Sequence, residues 1–152
     1  MGYRDNIKRE FDSKVVEVAR VTRVVAGGKR MRFRALVVVG DRKGRVGIGL
    51  KKGVDVADAI GKATNAAQRS VIEIQIKEGT IPHLLNYKYK AARIFIKPAK
   101  PGTGIIAGGP LRAVLTLSGI RNITSKMLGS SNKVSNVRAI FLALQSFNRG
   151  KK

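Results

Sequence analysis

Residues 15–25, VVEVARVTRVV, are β-branched and largely alternate apolar with polar positions, which predicts a strand. Ala26-Gly27-Gly28 predicts a turn, and residues 30–39 a second strand. Gly40-Asp41-Arg42-Lys43-Gly44 follows as a hairpin loop, then Arg45 to Leu50 as a short third strand weakened by Gly47 and Gly49. The period then changes. Val56, Ile60, Ala63, Ala67, Val71 and Ile74 recur at spacings of three and four, one face of a helix, with Asp55 placed to cap its start and Asp58 three residues on. Three antiparallel strands with a helix across one face make a small α+β domain, residues 1–76. Its first residues, 2–12, read as a short polar helix or an arm.

Residues 77–152 read as a second α+β unit. KEGTIPHLLNYKYK (77–90) is a linker, punctuated by Gly79 and Pro82, that turns into a strand, and RIFIK (93–97) is another strand. After the Gly- and Pro-rich KPAKPGTGIIAGGP, Pro110 suits the first turn of a helix that reaches Leu117 and closes at Gly119. Ile120 to Ile123 reads as a strand. Ser131 or Asn132 then caps a last helix with Val134, Val137, Phe141 and Leu144 on one face. The 152 residues suit two small domains and are enough to bury roughly 68–70% of the unfolded surface.

Charge narrows the function. There are 31 Lys and Arg against nine Asp and Glu, a net charge of +22. Self-repulsion on that scale destabilises a free compact protein, and a polyanionic partner offsets it. Nucleic acid is the commonest such partner, with anionic membrane second. All nine carboxylates lie in residues 1–78, alongside 18 basic residues; residues 79–152 carry 13 basic residues and no carboxylate. Both halves are therefore basic, which argues against an enzyme with a basic tail. The chain has no cysteine, which excludes disulfides, thiolate zinc sites and cysteine nucleophiles. No apolar run approaches the ~20 residues of a membrane span, and the first residues lack a secretory signal or the Ser/Thr of a myristoylation signal, Asn6 standing there instead. A soluble, cytoplasmic protein is expected.

The densest charge falls in one strand. Residues 29–34, KRMRFR, place Arg30, Arg32 and Arg34 on one strand face, and Met31 and Phe33 on the other with Ala35, Val37 and Val39, the natural core side. Three arginines in line at roughly 6–7 Å match successive phosphates of a nucleic-acid strand. Gly27 and Gly28 leave the turn free of side-chain bulk, and Arg20, Arg23 and Lys29 extend the patch. A solvated basic face is the plainer alternative. Lys51 and Lys52, just before the helix at Asp55, would set two ammonium groups beside a positive helix end. Double-stranded-RNA-binding domains use such a pair beside a three-stranded sheet.

Other chemistry is weak. Gly102, Gly104 and Gly108, with Gly109, precede a helix as GxGxxxG, a candidate phosphate loop. The dinucleotide fingerprint needs an acidic residue roughly 20 positions on, and none follows; there is no Walker Gly-Lys-Ser/Thr either. A tight turn allowing close backbone packing is the simpler reading. The single histidine, His83, sits beside Pro82 as a turn residue rather than a base, and the second half has no carboxylate for acid–base work or for Mg²⁺. Tyr87 and Tyr89 fit sheet packing better than base stacking. No catalytic residue, metal site or cofactor is expected.

Five segments carry a resemblance to a known family: VTRVVAGGKRMRFRALVVVGD (21–41), GRVGIGLKKGVDVADAI (44–60), EGTIPH (78–83), KPGTGIIAGGPLRAVLTLSGI (100–120) and GSSNKVSNVRAIFLAL (129–144). In that order, over nearly the full length, the chain resembles the family of the fifth protein of the bacterial small ribosomal subunit. The resemblance implies a double-stranded-RNA-binding-like first domain and a βαβ-type second domain. It implies binding to small-subunit rRNA near the head–body junction, contacts with small-subunit proteins four and eight, a place lining the mRNA entry path, and an influence on decoding accuracy. It places the Gly-Gly loop, with Arg20, Arg23, Gly27, Gly28, Lys29 and Arg30, toward rRNA at the neck. Arg32 and Arg34 rest on the charge argument alone, because members often have Ser or Thr there. The chain departs from the family at Ala26, where many members have lysine, and in ending soon after its last helix.

The expected function is a non-enzymatic rRNA-binding constituent of the small subunit. Neutralising about 6–10 phosphates would cut affinity roughly 10³–10⁵-fold between 50 and 200 mM salt. One rival is a regulatory module that reads duplex RNA by shape, which leaves the acid-free second half unexplained. The other is a nucleotide-dependent phosphotransferase using Gly102 to Gly109, which lacks acidic metal ligands in that half.

Overall fold

The computed structural model describes residues 11–149. The expected N-terminal helix or arm lies almost wholly in residues 2–10, outside the described residues, as do residues 150–152. The first unit is a four-stranded sheet in the order β1 (Asp12–Val25), β2 (Gly28–Gly40), β3 (Arg45–Gly53) and β4 (Ile72–Glu73), all neighbours antiparallel, with helix α1 (Val56–Arg69) laid across it. The sequence reading has three strands. The fourth is two residues long, pairs only with Arg45 and Val46, and falls where the helical pattern was expected to continue. Helix α1 instead ends at Arg69, where the Ser70 N–H bonds back to Ala66 and Ala67.

The glycines of β3 explain how α1 sits. A Cβ at Gly47, Gly49 or Gly53 would run into the helix backbone at Ala67, Ala63 or Ala59 respectively. Those three alanines are the buried face of α1. Small residues on both sides let helix and strand pack almost backbone to backbone, and this moves the buried face from the expected stripe. Val56 is 39% exposed, Ile60 only half-buried, and Ile74 joins a different core. The cap is as expected: Asp55 accepts from the Asp58 N–H at 2.7 Å, and Asp58 reaches back to the Val54 N–H at 3.2 Å.

The second unit is a sheet in the order β5 (Leu85–Tyr89), β6 (Ala92–Pro98), β8 (Ile123–Met127) and β7 (Ile105–Ile106). Strands β7 and β8 are parallel and joined through α2 (Gly109–Ser118), a βαβ unit. Helix α3 (Lys133–Arg149) completes it, with Asn132 as cap: its side chain accepts from Val134 N–H at 3.1 Å. Helix α2 begins with Pro110 in its first turn and stops at Gly119 in the left-handed conformation, φ +93°. The strand expected at Ile120–Ile123 starts at Ile123 instead, because the Arg121 and Asn122 N–H groups turn aside to the Gly79 carbonyl. That contact also fixes the EGTIPH segment. Glu78 and Gly79 take positive φ between the paired Lys77 and Thr80, and Ile81 is fully buried.

One core runs through both units. Leu36, Val38 and Val46 on one face of the first sheet share a cluster with Leu111, Val114, Leu115, Ile94, Ile96 and Leu144. A second cluster lies on the other face, where Ala35, Val37 and Val39 meet α1. The end of α2 locks into the β2–β3 loop: Arg42 N–H donates to Leu117 O at 3.0 Å and Gly44 N–H to Ser118 O at 2.9 Å. Gly40 and Gly119 permit the approach, since a Cβ on either would strike the opposing backbone.

Candidate nucleic-acid interface

Strand register decides which charges meet. Strand β3 pairs with β2 only as far as Phe33 opposite Gly53, so residues 28–32 of β2 and their partners in β1 run on as a two-stranded arm. Five residues extend about 17 Å. Val25 pairs with Gly28 across the two-residue turn Ala26-Gly27. Gly28 is held at φ +137°, which a side chain resists, whereas a Cβ on Gly27 would meet nothing within 4 Å.

Antiparallel partners share a face. Arg23 lies opposite Arg30, Val21 opposite Arg32, Ala19 opposite Arg34, and Arg34 opposite Lys52. Arg23, Arg30, Arg32, Arg34 and Lys52 therefore share one face. Further along, this same face carries Leu36, Val38, Ile48 and Leu50 and packs on the second unit. It is apolar where covered and basic where it runs free. An open cleft of about 310 Å³ forms there, lined by Val21, Thr22, Arg23, Val25, Arg30, Arg32 and Lys52. Arg23 against Arg30 and Arg34 against Lys52 are like charges directly opposite, an arrangement that destabilises an isolated sheet.

The expected patch thus divides. Arg20 pairs with Phe33 and Lys29 with Val24, which puts both on the other face, where the Arg20 guanidinium rests against the Met31 sulfur. Met31, expected on the core side, is 51% exposed because α1 does not reach that far along the arm. Lys51 pairs with Ala35 and so parts from Lys52. At the start of α1 the Asp55 carboxylate accepts from the Asp58 N–H and the Asp58 carboxylate from the Val54 N–H, so two acidic groups stand at the helix end that follows the lysine pair. Lys52 gains its place from the arm cleft instead. Sequence spacing alone hides this, because cross-strand register is needed to see it.

One acidic residue shares this face: Glu17 lies opposite Leu36, beyond the Ala19–Arg34 pair. Residues 18–40 contain no acidic residue. Asp12 pairs with Arg42 at 3.0 Å and Asp58 with Lys62 at 3.1 Å. Asp41 organises the β2–β3 loop, accepting from the N–H groups of Lys43 and Arg45 at 2.8 and 3.1 Å and from the Arg45 guanidinium at 2.7 Å. Burial pushes the Asp41 carboxyl up, but these hydrogen bonds and the Arg45 charge outweigh it and hold the group below its ordinary value.

The glycine loop is built for the fold. Gly102 and Gly104 take positive φ, and their N–H groups both donate to the Asn122 side-chain oxygen, at 3.2 and 3.1 Å. Two of the four glycine amides of the candidate phosphate loop, those of Gly102 and Gly104, are engaged in this way. Gly108 precedes α2, and a Cβ there would strike the Met127 methyl; Gly109, the first residue of the helix, has open space around it. Asn122 carries no sequence signal that would have tied it to this loop. His83 packs edge-on to Phe147 and its Nδ1 lies 2.9 Å from the Leu84 carbonyl, while Tyr87 and Tyr89 pack against the core. Among the described residues no cluster of acidic and histidine side chains could hold a metal, and no helix is long and apolar enough to cross a membrane.

Residues 11–75 match the family description "Ribosomal protein S5, N-terminal domain", and residues 87–151 match "Ribosomal protein S5, C-terminal domain". The small ribosomal subunit protein uS5 of Campylobacter jejuni (strain RM1221) is 49% identical over 137 residues, which cover 90% of this chain and 93% of that protein. The chain belongs to the ribosomal protein S5 family. The small ribosomal subunit protein uS5c of Spinacia oleracea is 47% identical over 147 residues, 96% of this chain and 48% of that protein, so the chain spans about half the length of that relative. Family membership makes this a structural, non-enzymatic protein of the small ribosomal subunit, partnered by rRNA and other ribosomal proteins.

Proposed function

We propose that the basic face of the β1–β2 arm is the chain's rRNA contact, set against the backbone near the junction of head and body. The observation that carries this is the register: it puts Arg23, Arg30, Arg32, Arg34 and Lys52 on one face, and Arg23, Arg30, Arg32 and Lys52 line a cleft whose lining includes no carboxylate. Their mutual repulsion in the free protein is relieved when phosphates enter. Gly27 and Gly28 let the tip approach the RNA closely, and Arg20, Lys29 and Lys51 offer a second flank to a groove that wraps the arm. The rigid union of the two units, through the shared core and the Gly40–Gly119 lock, supports a role in holding a junction during assembly. On this reading the chain divides functionally at residues 76 and 77. The second unit faces proteins four and eight and the mRNA entry path, and supports decoding accuracy.

The absence of cysteine gives a direct test. A Gly27→Cys variant, placed where a Cβ has open space, carries a tethered iron chelate into reconstituted small subunits. Hydroxyl-radical cleavage clustered in the rRNA at the neck is the expected result. Cleavage confined to rRNA remote from the neck would refute the placement.

A further inference from the structure

The second sheet has two faces, and helices cover only one. Ile94, Ile96, Ile123 and Tyr87 face α2 and α3 and belong to the main core. The other face carries Asn86 and Lys88 on β5, Arg93, Phe95 and Lys97 on β6, and Lys126 on β8. Register sets their arrangement: Phe95 lies opposite Asn86 on one side and Lys126 on the other, and Arg93 lies opposite Lys88. Arg93 and Lys97 flank Phe95 two residues along its own strand, on the same face. Lys88, Arg93, Lys97 and Lys126 are all exposed, and Phe95 is partly so. Phe95 packs in neither core cluster. Among the described residues nothing covers this face, and residues 79–152 contain no carboxylate to balance it.

We infer that the open face of the second sheet binds single-stranded RNA. Phe95 stacks on an unpaired base, and the four surrounding cations hold the flanking phosphates. A sheet that displays an aromatic ring at its centre and cations around it is a physical match to unstacked RNA, which offers both a base face and a backbone charge. A duplex offers no free base face to the ring. A protein partner fits less well, because lysine is depleted from the centres of protein interfaces. The Lys88–Arg93 pair repeats the like-charge opposition seen on the arm, in a different sheet and on separate residues. The inference therefore stands apart from the arm's role.

The test uses the full chain and two fluorescent probes, an unstructured 12-nucleotide RNA and an RNA duplex of the same length, read by anisotropy. Phe95→Ala is expected to weaken the single strand about 5- to 150-fold and to leave the duplex unchanged, with Phe95→Tyr restoring binding. Lys97→Ala with Lys126→Ala, both exposed, is expected to flatten the single-strand salt slope by about 1.4. Arg23→Ala with Arg30→Ala is expected to weaken the duplex, so failure of the arm reading and failure of this one are separable. Single-strand binding unchanged in both sheet variants would overturn the inference. So would equal competition by polyglutamate of matched charge, which would assign the face to an acidic protein.

Discussion

Arg30 sits directly opposite Arg23 near the tip of a two-stranded arm, and this geometry predicts an unusual mutant. Arg30→Glu should make the free protein more stable while weakening its hold on rRNA. Two charges about 6 Å apart in water repel by about 0.7 kcal/mol, and screening at 0.15 M salt brings this to about 0.3 kcal/mol. Reversing one charge removes that repulsion and adds an attraction of similar size. The gain is about 0.6 kcal/mol, within the range of cross-strand pair energies, and corresponds to a Tm rise of about 1–3 °C for a chain of this size. Thermal unfolding followed by circular dichroism reads it, and the same scan in 1 M salt should erase the gain. Affinity for small-subunit rRNA should fall in the same variant. A variant no more stable than wild type at low salt, or equally tight on rRNA, would refute the view that this face stores repulsion for a polyanion.

Other consequences follow from the packing. Gly49→Ala places a methyl against the α1 backbone at Ala63 and should cost about 1–3 kcal/mol in urea denaturation; a neutral result would mean that helix and strand are not in backbone contact. Asp41→Asn should cost about 1.5–3 kcal/mol at neutral pH, because it weakens charge-assisted bonds in the β2–β3 loop. Since the folded carboxyl lies below its ordinary value of 3.8, its contribution is full above that pH and is lost as pH falls through the lowered value; the wild-type advantage should shrink accordingly in melts below about pH 4. Asn122→Ala removes the acceptor shared by Gly102 and Gly104, and their amide hydrogens should exchange about 2- to 13-fold faster, with unchanged exchange showing that the loop holds itself.

Much of this fold is legible in local pattern. The β-branched alternation of residues 15–25, the Asp55 cap, Pro110 in a first turn and Gly119 at a helix end each have a mechanism confined to a few neighbours, and each stands in the structure. The errors arise where distant segments decide. Val71 and Ile74 fit a helical stripe, yet α1 stops at Arg69 because the chain turns to pair β4 with β3 and to send Ile74 into the shared core. Gly47 and Gly49 read as weaknesses of a strand, and they are the floor on which the helix rests. The candidate site shows the same limit. Composition and alternation find Arg30, Arg32 and Arg34 and name Arg20, Arg23, Lys29, Lys51 and Lys52 as neighbours, but only register puts Arg23 and Lys52 on the same face and separates Arg20, Lys29 and Lys51. Within the Gly102–Gly109 stretch the amides of Gly102 and Gly104 are taken up by Asn122, 18 residues beyond Gly104, a partner that local pattern does not reveal.

The central claim is that the arm's basic face neutralises rRNA phosphates. The most direct measurement is the salt dependence of affinity for a small-subunit rRNA fragment spanning the neck, for wild type and for Arg23→Ala, Arg30→Ala and Arg32→Ala combined. Each lost phosphate contact removes about 0.9 from the slope of log affinity against log salt on a duplex. The slope should therefore flatten by about 2.7. An unchanged slope, even with weaker binding, would contradict direct phosphate contact by this face.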